Sequence, residues 1–343
     1  MKYEFDVKPA FLDLNFEIRT QGSIREILER TEEHLQQLNS QFPDNSNTRI
    51  LSPSAINTWL NCRMKFYYRY VNRLREPEKV TADIDPAMLG NILHEIMKSI
   101  YQSYRGQVLT GEILNSIVRN KQHLAGIINE AINEKFRDGS DNPVSGNELI
   151  VRDVLMAYVV RILEADKTFT PFTILNLEET FSFRMNADPS GSQIEVLVGG
   201  KIDRIDVVDG VTRIVGYKTG TVAEFIKSPG DLFADDRKKD SDGWLQTLLY
   251  CEAYLANTPG KIVRPSVYMI KKLAGGITSD KLRVKSDNKS ETVINDYNLI
   301  RNDFMIGLKG LINIIFSNDE PFTMTKDIRG KCSYCPYRNL CMR

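Results

Sequence analysis

The segment Gly199–Gly220, GGKIDRIDVVDGVTRIVGYKTG, constrains the fold more than any other part of this sequence. Two runs rich in β-branched residues flank Asp209-Gly210, and this arrangement is a strong signal for a β-hairpin. Side chains alternate across a strand, so Gly216 and Lys218 share one face while the side chain of Tyr217 lies on the other. The sequence therefore predicts a hairpin that carries polar chemistry at the end of its second strand.

An acidic residue on the first strand lies within reach of that strand end. Asp203 is on the partner strand of the predicted hairpin, opposite the segment that ends at Lys218. An acid and a lysine together suit phosphodiester hydrolysis, because the carboxylate can hold a divalent cation and the lysine can position water or neutralise phosphate charge. A half-buried hairpin with solvated charges is the alternative interpretation.

The hairpin sequence resembles the GxxDRID…DYKTG signature of PD-(D/E)XK nucleases of the RecB and AddB type. Two further motifs stand in the family's order: LGNILHEIM resembles the GxxxH motif, and Gln246 and Tyr250 match QxxxY. The resemblance implies a Mg²⁺ or Mn²⁺ ion held by His94, Asp203, an acid at position 216 and the backbone carbonyl of Tyr217. It also implies that Lys218 assists the attacking water and that Gln246 and Tyr250 brace the strand or the site. This chain has Gly216 where the family has its metal-binding aspartate.

Three cysteines crowd the C-terminus in the spacing C-x2-C-x5-C, as Cys332, Cys335 and Cys341. Three thiolates in a small knuckle suit zinc or an iron–sulfur cluster, and either requires a fourth ligand. Cys62, in the run SPSAINTWLNC, is the obvious donor. One early cysteine in an SPSxxNxWxxC run with this C-terminal trio resembles the [4Fe-4S] staple of AddB-type nucleases. The resemblance implies a cluster that ties the two ends of the domain together, with zinc as the alternative.

Two stretches of the chain are locally basic. Ser52–Arg75 interleaves aromatic and basic side chains, which could stack bases and hold phosphates. Lys261–Lys289 has eight basic residues against two acidic ones, and this composition suits phosphate contacts. The alternatives are a core-facing aromatic helix with a solvated basic edge and a solvated basic face, respectively. The candidate DNA-binding residues are Arg63, Lys65, Arg69, Lys271 and Lys272.

The overall charge of the 343 residues is balanced, with 45 basic and 45 acidic side chains. Any nucleic-acid surface must therefore be local. No apolar run is long enough to span a bilayer and the N-terminus is no signal peptide, so we expect a cytoplasmic protein without a membrane partner. The chain has no GxxxxGK[ST] phosphate loop, so a motor would lie elsewhere in a parent chain or in a helicase partner.

The predicted fold is α/β: a restriction-endonuclease-like mixed central β-sheet flanked by helices, with helical insertions before the hairpin and a C-terminal cysteine knuckle. Residues 1–50 are predicted to be a polar extension or linker with a surface helix at Ser23–Leu38, and residues 51–343 to be the nuclease domain. Further helices are predicted at 110–136, 147–167, 244–255 and 293–316, and further strands at 172–186 and 262–270.

The predicted function is metal-dependent hydrolysis of DNA, with processive trimming of ends in a repair or recombination complex. The DNA would be single-stranded or carry free ends. Because glycine cannot ligate a cation, Gly216 predicts weak or absent activity. The alternative is a non-catalytic DNA-binding or structural module of a helicase–nuclease complex. Glu178 and Glu179 could support the site, but the favoured interpretation is that they are exposed strand acids.

Overall fold

The computed structural model describes residues 26–42, 49–76, 85–137, 146–188, 191, 193–275, 280–285 and 290–343. Most of the predicted N-terminal extension lies outside these residues, as does most of the segment between the helices predicted at 110–136 and 147–167. None of the described helices combines the length and the hydropathy needed to cross a bilayer.

The central element is a five-stranded mixed sheet with the strand order β2-β3-β4-β5-β6. Only the β5–β6 pair is parallel, and the other neighbours are antiparallel. Two further two-stranded sheets pair β1 with β9 and β7 with β8. The described strands are β1 (Ile27–Leu28), β2 (Val108–Leu109), β3 (Phe172–Ala187), β4 (Ile194–Val208), β5 (Val211–Lys218), β6 (Val263–Met269), β7 (Arg283–Lys285), β8 (Glu291–Val293) and β9 (Phe322–Thr323).

Helices cover the sheet, and local sequence sets where several of them begin. Ser52, Asp85, Thr110 and Asn120 each accept a backbone N–H as N-caps, and proline follows two of them in the first turn. The described α-helices are α1 (Glu32–Asn39), α2 (Pro53–Asn61), α3 (Arg63–Phe66), α4 (Pro86–Gln102), α5 (Gly111–Arg119), α6 (Lys121–Ile132), α7 (Gly146–Lys167), α8 (Asp242–Asn257) and α9 (Arg301–Ile315).

The predicted hairpin is confirmed as β4 and β5. Asp209 and Gly210 both have positive φ, at 50° and 79°, and a tight turn with the right-handed strand twist requires this conformation. Pairing runs from Val208↔Val211 to Arg204↔Val215. Beyond that pair the two strands no longer align residue by residue, and the side chains at their ends become available for other contacts.

Two hydrophobic cores lie on opposite faces of the sheet. The first packs α2, α8 and α9 against it, and the second packs α4, α5, α6 and α7. Strand β5 contributes side chains to both cores, since Ile214 belongs to the first core whereas Val215 and Tyr217 belong to the second. This arrangement confirms the predicted mixed α/β fold with helical insertions before the hairpin.

Some predicted boundaries differ from the observed ones. The predicted helix at Ser23–Leu38 is described only from residue 26 and begins at Glu32, because Ile27–Leu28 pair with β9 and Thr31 caps the helix. The predicted helix at 110–136 is divided at Asn120, whose side chain starts α6. The helix predicted at 293–316 begins at Arg301, after a 3₁₀ turn capped by Asp296. Leu38 belongs to the same core as Trp59, so α1 packs on the domain itself.

A fully buried ionic network joins the second core to the hairpin. Asp206 accepts hydrogen bonds from Arg204 Nε (2.6 Å) and Arg213 Nε (2.6 Å), and Arg204 also donates to Asp166 of α7 (2.7 Å). Burial alone raises the pKa of Asp206, but the guanidinium groups of Arg204 and Arg213 outweigh it and hold the pKa below its ordinary value. Arg204 donates as well to the Tyr217 hydroxyl, at 3.1 Å. The network therefore fixes β4, β5 and α7 relative to one another.

We expect Asp206→Ala to lower the free energy of unfolding by about 3–5 kcal/mol, because two buried guanidinium groups lose their shared carboxylate. Urea unfolding followed by circular dichroism measures the effect. Asp236→Ala is the matched control, since Asp236 is exposed, and it should change the free energy by no more than about 0.5 kcal/mol. Equal stabilities of the two variants would contradict the role of the network.

Candidate functional site

A histidine on α4 points at the open end of the hairpin. The apolar stripe of α4, which includes Ile92, Leu93 and Ile96, packs into the second core and turns His94 toward the sheet. Its Nε2 lies 3.2 Å from the backbone carbonyl oxygen of Tyr217. The predicted ligands His94 and the Tyr217 carbonyl are therefore adjacent.

Asp203 links the two strands where their pairing ends. Its Oδ2 accepts a hydrogen bond from the backbone N–H of Tyr217 at 3.0 Å, and its Oδ1 lies 3.5 Å from His94 Nδ1. The side chain is only 6% exposed. One carboxylate thus fixes the strand end with one oxygen and faces the histidine with the other.

Glu178 of β3 completes an acidic cluster, although the favoured interpretation of the sequence placed this residue on the exposed face. Its Oε1 lies 3.3 Å from His94 Nδ1 and its Oε2 lies 2.7 Å from Lys201 Nζ. Ligand atoms of His94, Glu178 and Asp203 all lie within 4.8 Å of one another. Among the described residues, these three form the group whose geometry could hold a metal ion.

The prediction that Glu178 is an exposed strand acid is wrong, because this side chain is only 9% exposed. Its backbone has a φ of 49°, which interrupts the alternation of a regular strand. Glu179 is exposed as predicted and pairs with Arg105. Two consecutive acids cannot point to the same face of a regular strand, so the pair Glu178-Glu179 was itself a signal that one of them faces the sheet interior.

The electrostatics of the cluster favour ionised groups. Burial lowers the pKa of His94, but Asp203 and Glu178 reverse this and raise the pKa above its ordinary value. Burial raises the pKa of Glu178, but its hydrogen bonds with His94 and Lys201 lower the pKa below the ordinary value overall. His94 and Lys201 thus partly balance the acids, in the place where a divalent cation would do so more strongly.

A hydrogen-bonded chain on α8 holds the predicted lysine. Lys218 Nζ donates to Gln246 Oε1 at 2.6 Å, and Gln246 Nε2 donates to the Tyr250 hydroxyl at 3.1 Å. Burial raises the pKa of Tyr250, so its hydroxyl stays protonated. Gln246 of the predicted QxxxY motif therefore contacts the lysine directly, and Tyr250 in turn restricts the position of Gln246.

Position 216 has room for the side chain that it lacks. A Cβ atom on Gly216 would lie 3.6 Å from Thr247 Oγ1 and 3.8 Å from Asp203 Oδ2, both ordinary contacts. A carboxylate at this position would therefore lie beside that of Asp203. Asp206 does not take its place, because it is fully buried between Arg204 and Arg213.

A sequence model of the PD-(D/E)XK nuclease superfamily matches residues 50–342. The chain belongs to this superfamily. A similar protein is one of the subunits of the ATP-dependent helicase/deoxyribonuclease of Carboxydothermus hydrogenoformans, and the two chains are 25% identical over 197 residues. The match covers 54% of this chain and 17% of that protein. The chain thus spans about a sixth of the length of its relative.

The superfamily match agrees with the mixed sheet and with the hairpin that carries Asp203 and Lys218. PD-(D/E)XK nucleases use divalent metals, and the donor set of one imidazole and two carboxylates fits such an ion. Mg²⁺ and Mn²⁺ accept carboxylate, carbonyl and water oxygens. The carbonyl of Tyr217 lies against the same histidine and adds an oxygen donor.

The four predicted cluster ligands line a single cavity. Cys62, which caps α3, faces Cys332, Cys335 and Cys341 of the C-terminal knuckle across it. Burial and the neighbouring thiols raise the pKa of Cys341 to about 11. Thiols with raised pKa values become strong ligands when a metal displaces their protons. The donor set therefore fits a thiolate-ligated metal group.

The predicted DNA-binding residues differ in how many acidic partners they have. Arg63 is paired with Asp235 and Glu320, Lys65 borders the cysteine cavity, and Arg69 pairs with Glu76. Lys272 pairs with Glu224, whereas Lys271 is exposed. In the aromatic stretch, Trp59 and Phe66 are buried in the first core. The core-facing alternative is therefore correct for these two rings, which cannot stack on bases.

We expect Glu178→Ala to weaken Mn²⁺ binding at least about tenfold, because it removes one of two clustered carboxylates. Isothermal titration calorimetry measures the affinity. Glu179→Ala is the matched control, since Glu179 is the neighbouring acid and is exposed. If both variants bind Mn²⁺ as the wild type does, Glu178 is not a ligand.

Proposed function

We propose that this chain is the nuclease domain of a metal-dependent DNA end-processing enzyme with low intrinsic activity. The observation that carries the proposal is the convergence of His94, Glu178 and Asp203 beside Lys218, at the open end of the hairpin. The superfamily match and the relative's printed name, which describes part of a helicase/deoxyribonuclease, support DNA as the substrate. Single-stranded DNA or DNA with free ends, in repair or recombination, is the proposed target.

In this proposal His94, Glu178, Asp203 and the Tyr217 carbonyl hold Mg²⁺ or Mn²⁺. The bound ion would supply Lewis-acid stabilisation of phosphate charge and acidify a water molecule. Lys218 lies on the same face as Gly216, and its ammonium group donates to Gln246 at 2.6 Å. Held there, it neutralises charge on the phosphate and orients the attacking water.

Glu178 reduces the loss of metal binding that the glycine at position 216 would otherwise cause. With only His94 and Asp203, a hard cation would have one carboxylate ligand. Glu178 supplies a second one from the neighbouring strand, so metal binding survives the glycine. Gly216, which shares a face with Lys218, still offers no carboxylate, so the site would stabilise the ion less than one with an acid at position 216. This geometry supports low activity instead of none.

We expect Gly216→Asp to raise Mn²⁺-dependent cleavage of labelled linear DNA at least about tenfold, in line with the typical weight of metal-site groups. Lys218→Ala in either background should abolish cleavage. Thr221→Ala is a control, because this side chain is exposed and lies only three residues beyond the lysine. Equal cleavage by the wild type and Gly216→Asp would show that position 216 does not contribute to the site.

The non-catalytic alternative rests on the same glycine. If neither the wild type nor Gly216→Asp cleaves DNA in Mg²⁺ or Mn²⁺ while both bind it, the chain is a DNA-binding module of a helicase–nuclease complex. The relative's name supports a helicase as partner in either case, either as a separate chain or as part of a longer parent chain.

We further propose that Cys62, Cys332, Cys335 and Cys341 hold a [4Fe-4S] cluster, with zinc as the alternative. The cavity that all four cysteines line supports this proposal. The bond to Cys62 would join α3 to the C-terminal knuckle, so that residues far apart in sequence close the domain.

Anaerobically purified protein should contain about four iron atoms per chain, which is the content of one cubane cluster. It should also absorb broadly at about 400 nm. Cys62→Ala should lose the iron and lower the melting temperature, because the staple loses one end. Cys251→Ala is the matched control, since Cys251 is buried in the first core on α8, and it should keep full iron. Stoichiometric zinc without iron would contradict the cluster.

A further inference from the structure

An arginine-lined groove lies apart from the metal site, on the side of the cysteine knuckle. Its walls are formed by Arg49, Arg69, Arg73, Arg75, Glu76 and Tyr337, and we call it the arginine groove. None of these residues belongs to the His94, Glu178 and Asp203 cluster. The groove combines segments before α2, after α3 and near the C-terminus.

The groove carries net positive charge that its own partners leave largely uncompensated. Four guanidinium groups face one carboxylate, and that carboxylate, Glu76, pairs with Arg69 at 2.9 Å. Arg49 donates to the neutral amide of Gln41, and Arg73 donates to the hydroxyl of Ser40. Within the part of the chain that the structure describes, Arg75 is exposed and has no ion pair. Counting only the described residues, three cationic charges of the groove therefore have no ion-pair partner.

The backbone holds these side chains in place at some energetic cost. Arg73 has a φ of 54°, and a non-glycine residue in the left-handed region costs on the order of 1 kcal/mol or more. Leu74 is fixed on both sides, since its N–H donates to the Tyr68 carbonyl and its own carbonyl accepts from the Tyr337 hydroxyl at 2.7 Å. The turn thus places Arg73 and Arg75 in the groove, and the hydrogen bond between Leu74 and Tyr337 connects this turn to the cysteine knuckle.

We propose that the arginine groove binds the sugar–phosphate backbone of a single DNA strand, outside the metal site. This inference rests on the proposed function, because it takes DNA as the ligand. Guanidinium groups bind phosphates through charge-assisted, bidentate hydrogen bonds. A protein segment as ligand would need apolar pockets for anchoring side chains, whereas Leu74 is the aliphatic side chain that lines this groove. The groove therefore suits a polyanion with regularly spaced charges.

The test compares two variants with the same loss of charge. The groove variant carries Arg49→Gln, Arg73→Gln and Arg75→Gln. The control variant carries Arg119→Gln, Lys121→Gln and Lys309→Gln, three exposed cations on α5, α6 and α9. Binding of a fluorescent oligo-dT is measured by anisotropy in EDTA at several salt concentrations, so the result does not depend on metal-dependent cleavage.

The groove variant should bind oligo-dT at least about tenfold more weakly than the control variant. The slope of log affinity against log salt should fall by about 2, because each lost phosphate contact on a single strand contributes about 0.7. Equal affinity and slope for the two variants would overturn the proposal. If the triple variant unfolds at a lower temperature than the wild type, Arg75→Gln alone is used, and it should lower the slope by about 0.7.

Three further outcomes separate the groove proposal from the proposed function and from another ligand. If the wild type does not bind oligo-dT at all, the proposed function fails and the groove proposal fails with it. If the wild type binds and the groove variant binds equally well, the proposed function stands and the groove proposal alone is wrong. If oligoglutamate binds more tightly than oligo-dT and only its binding is lost in the groove variant, the ligand is an acidic peptide and the proposal is overturned.

Discussion

The shared carboxylate of Asp206 is the interaction on which the rest of the site depends. It receives two guanidinium groups, one from each strand around the hairpin, in a place with no access to water. Buried charges are tolerated only when every partner is present, so the two strands have one favourable register. The Tyr217 hydroxyl contacts this network, and the Tyr217 carbonyl contacts His94. The same register therefore positions the end of β5 that borders the candidate metal site.

The candidate metal site forms where regular pairing stops. After Arg204↔Val215 the two strands of the hairpin no longer align, and the Asp203 carboxylate accepts the Tyr217 N–H that would otherwise lack a partner. At this point His94 of α4 and Glu178 of β3 both approach Asp203. A site assembled from three elements requires that both cores pack correctly. The stability of the fold and the geometry of the metal ligands are therefore coupled.

The cysteine knuckle and the hairpin are held in place by different interactions. The hairpin depends on ion pairs and strand pairing, whereas the cysteine knuckle meets α3 across a cavity lined by four thiols. The same knuckle supports the arginine groove through Tyr337.

The sequence by itself determined the hairpin, the mixed α/β class and the pairing of Gln246 with Tyr250, because turn chemistry, strand alternation and helical spacing are local properties. It also predicted His94, Asp203 and Lys218 through family motifs. Only the tertiary structure decided that Glu178 faces the site and that Arg63 forms ion pairs with acidic residues. It also decided that Arg49 lies in one groove with Arg73 and Arg75. These outcomes depend on a local φ reversal and on contacts between segments distant in sequence, and neither leaves a periodic signal in the chain.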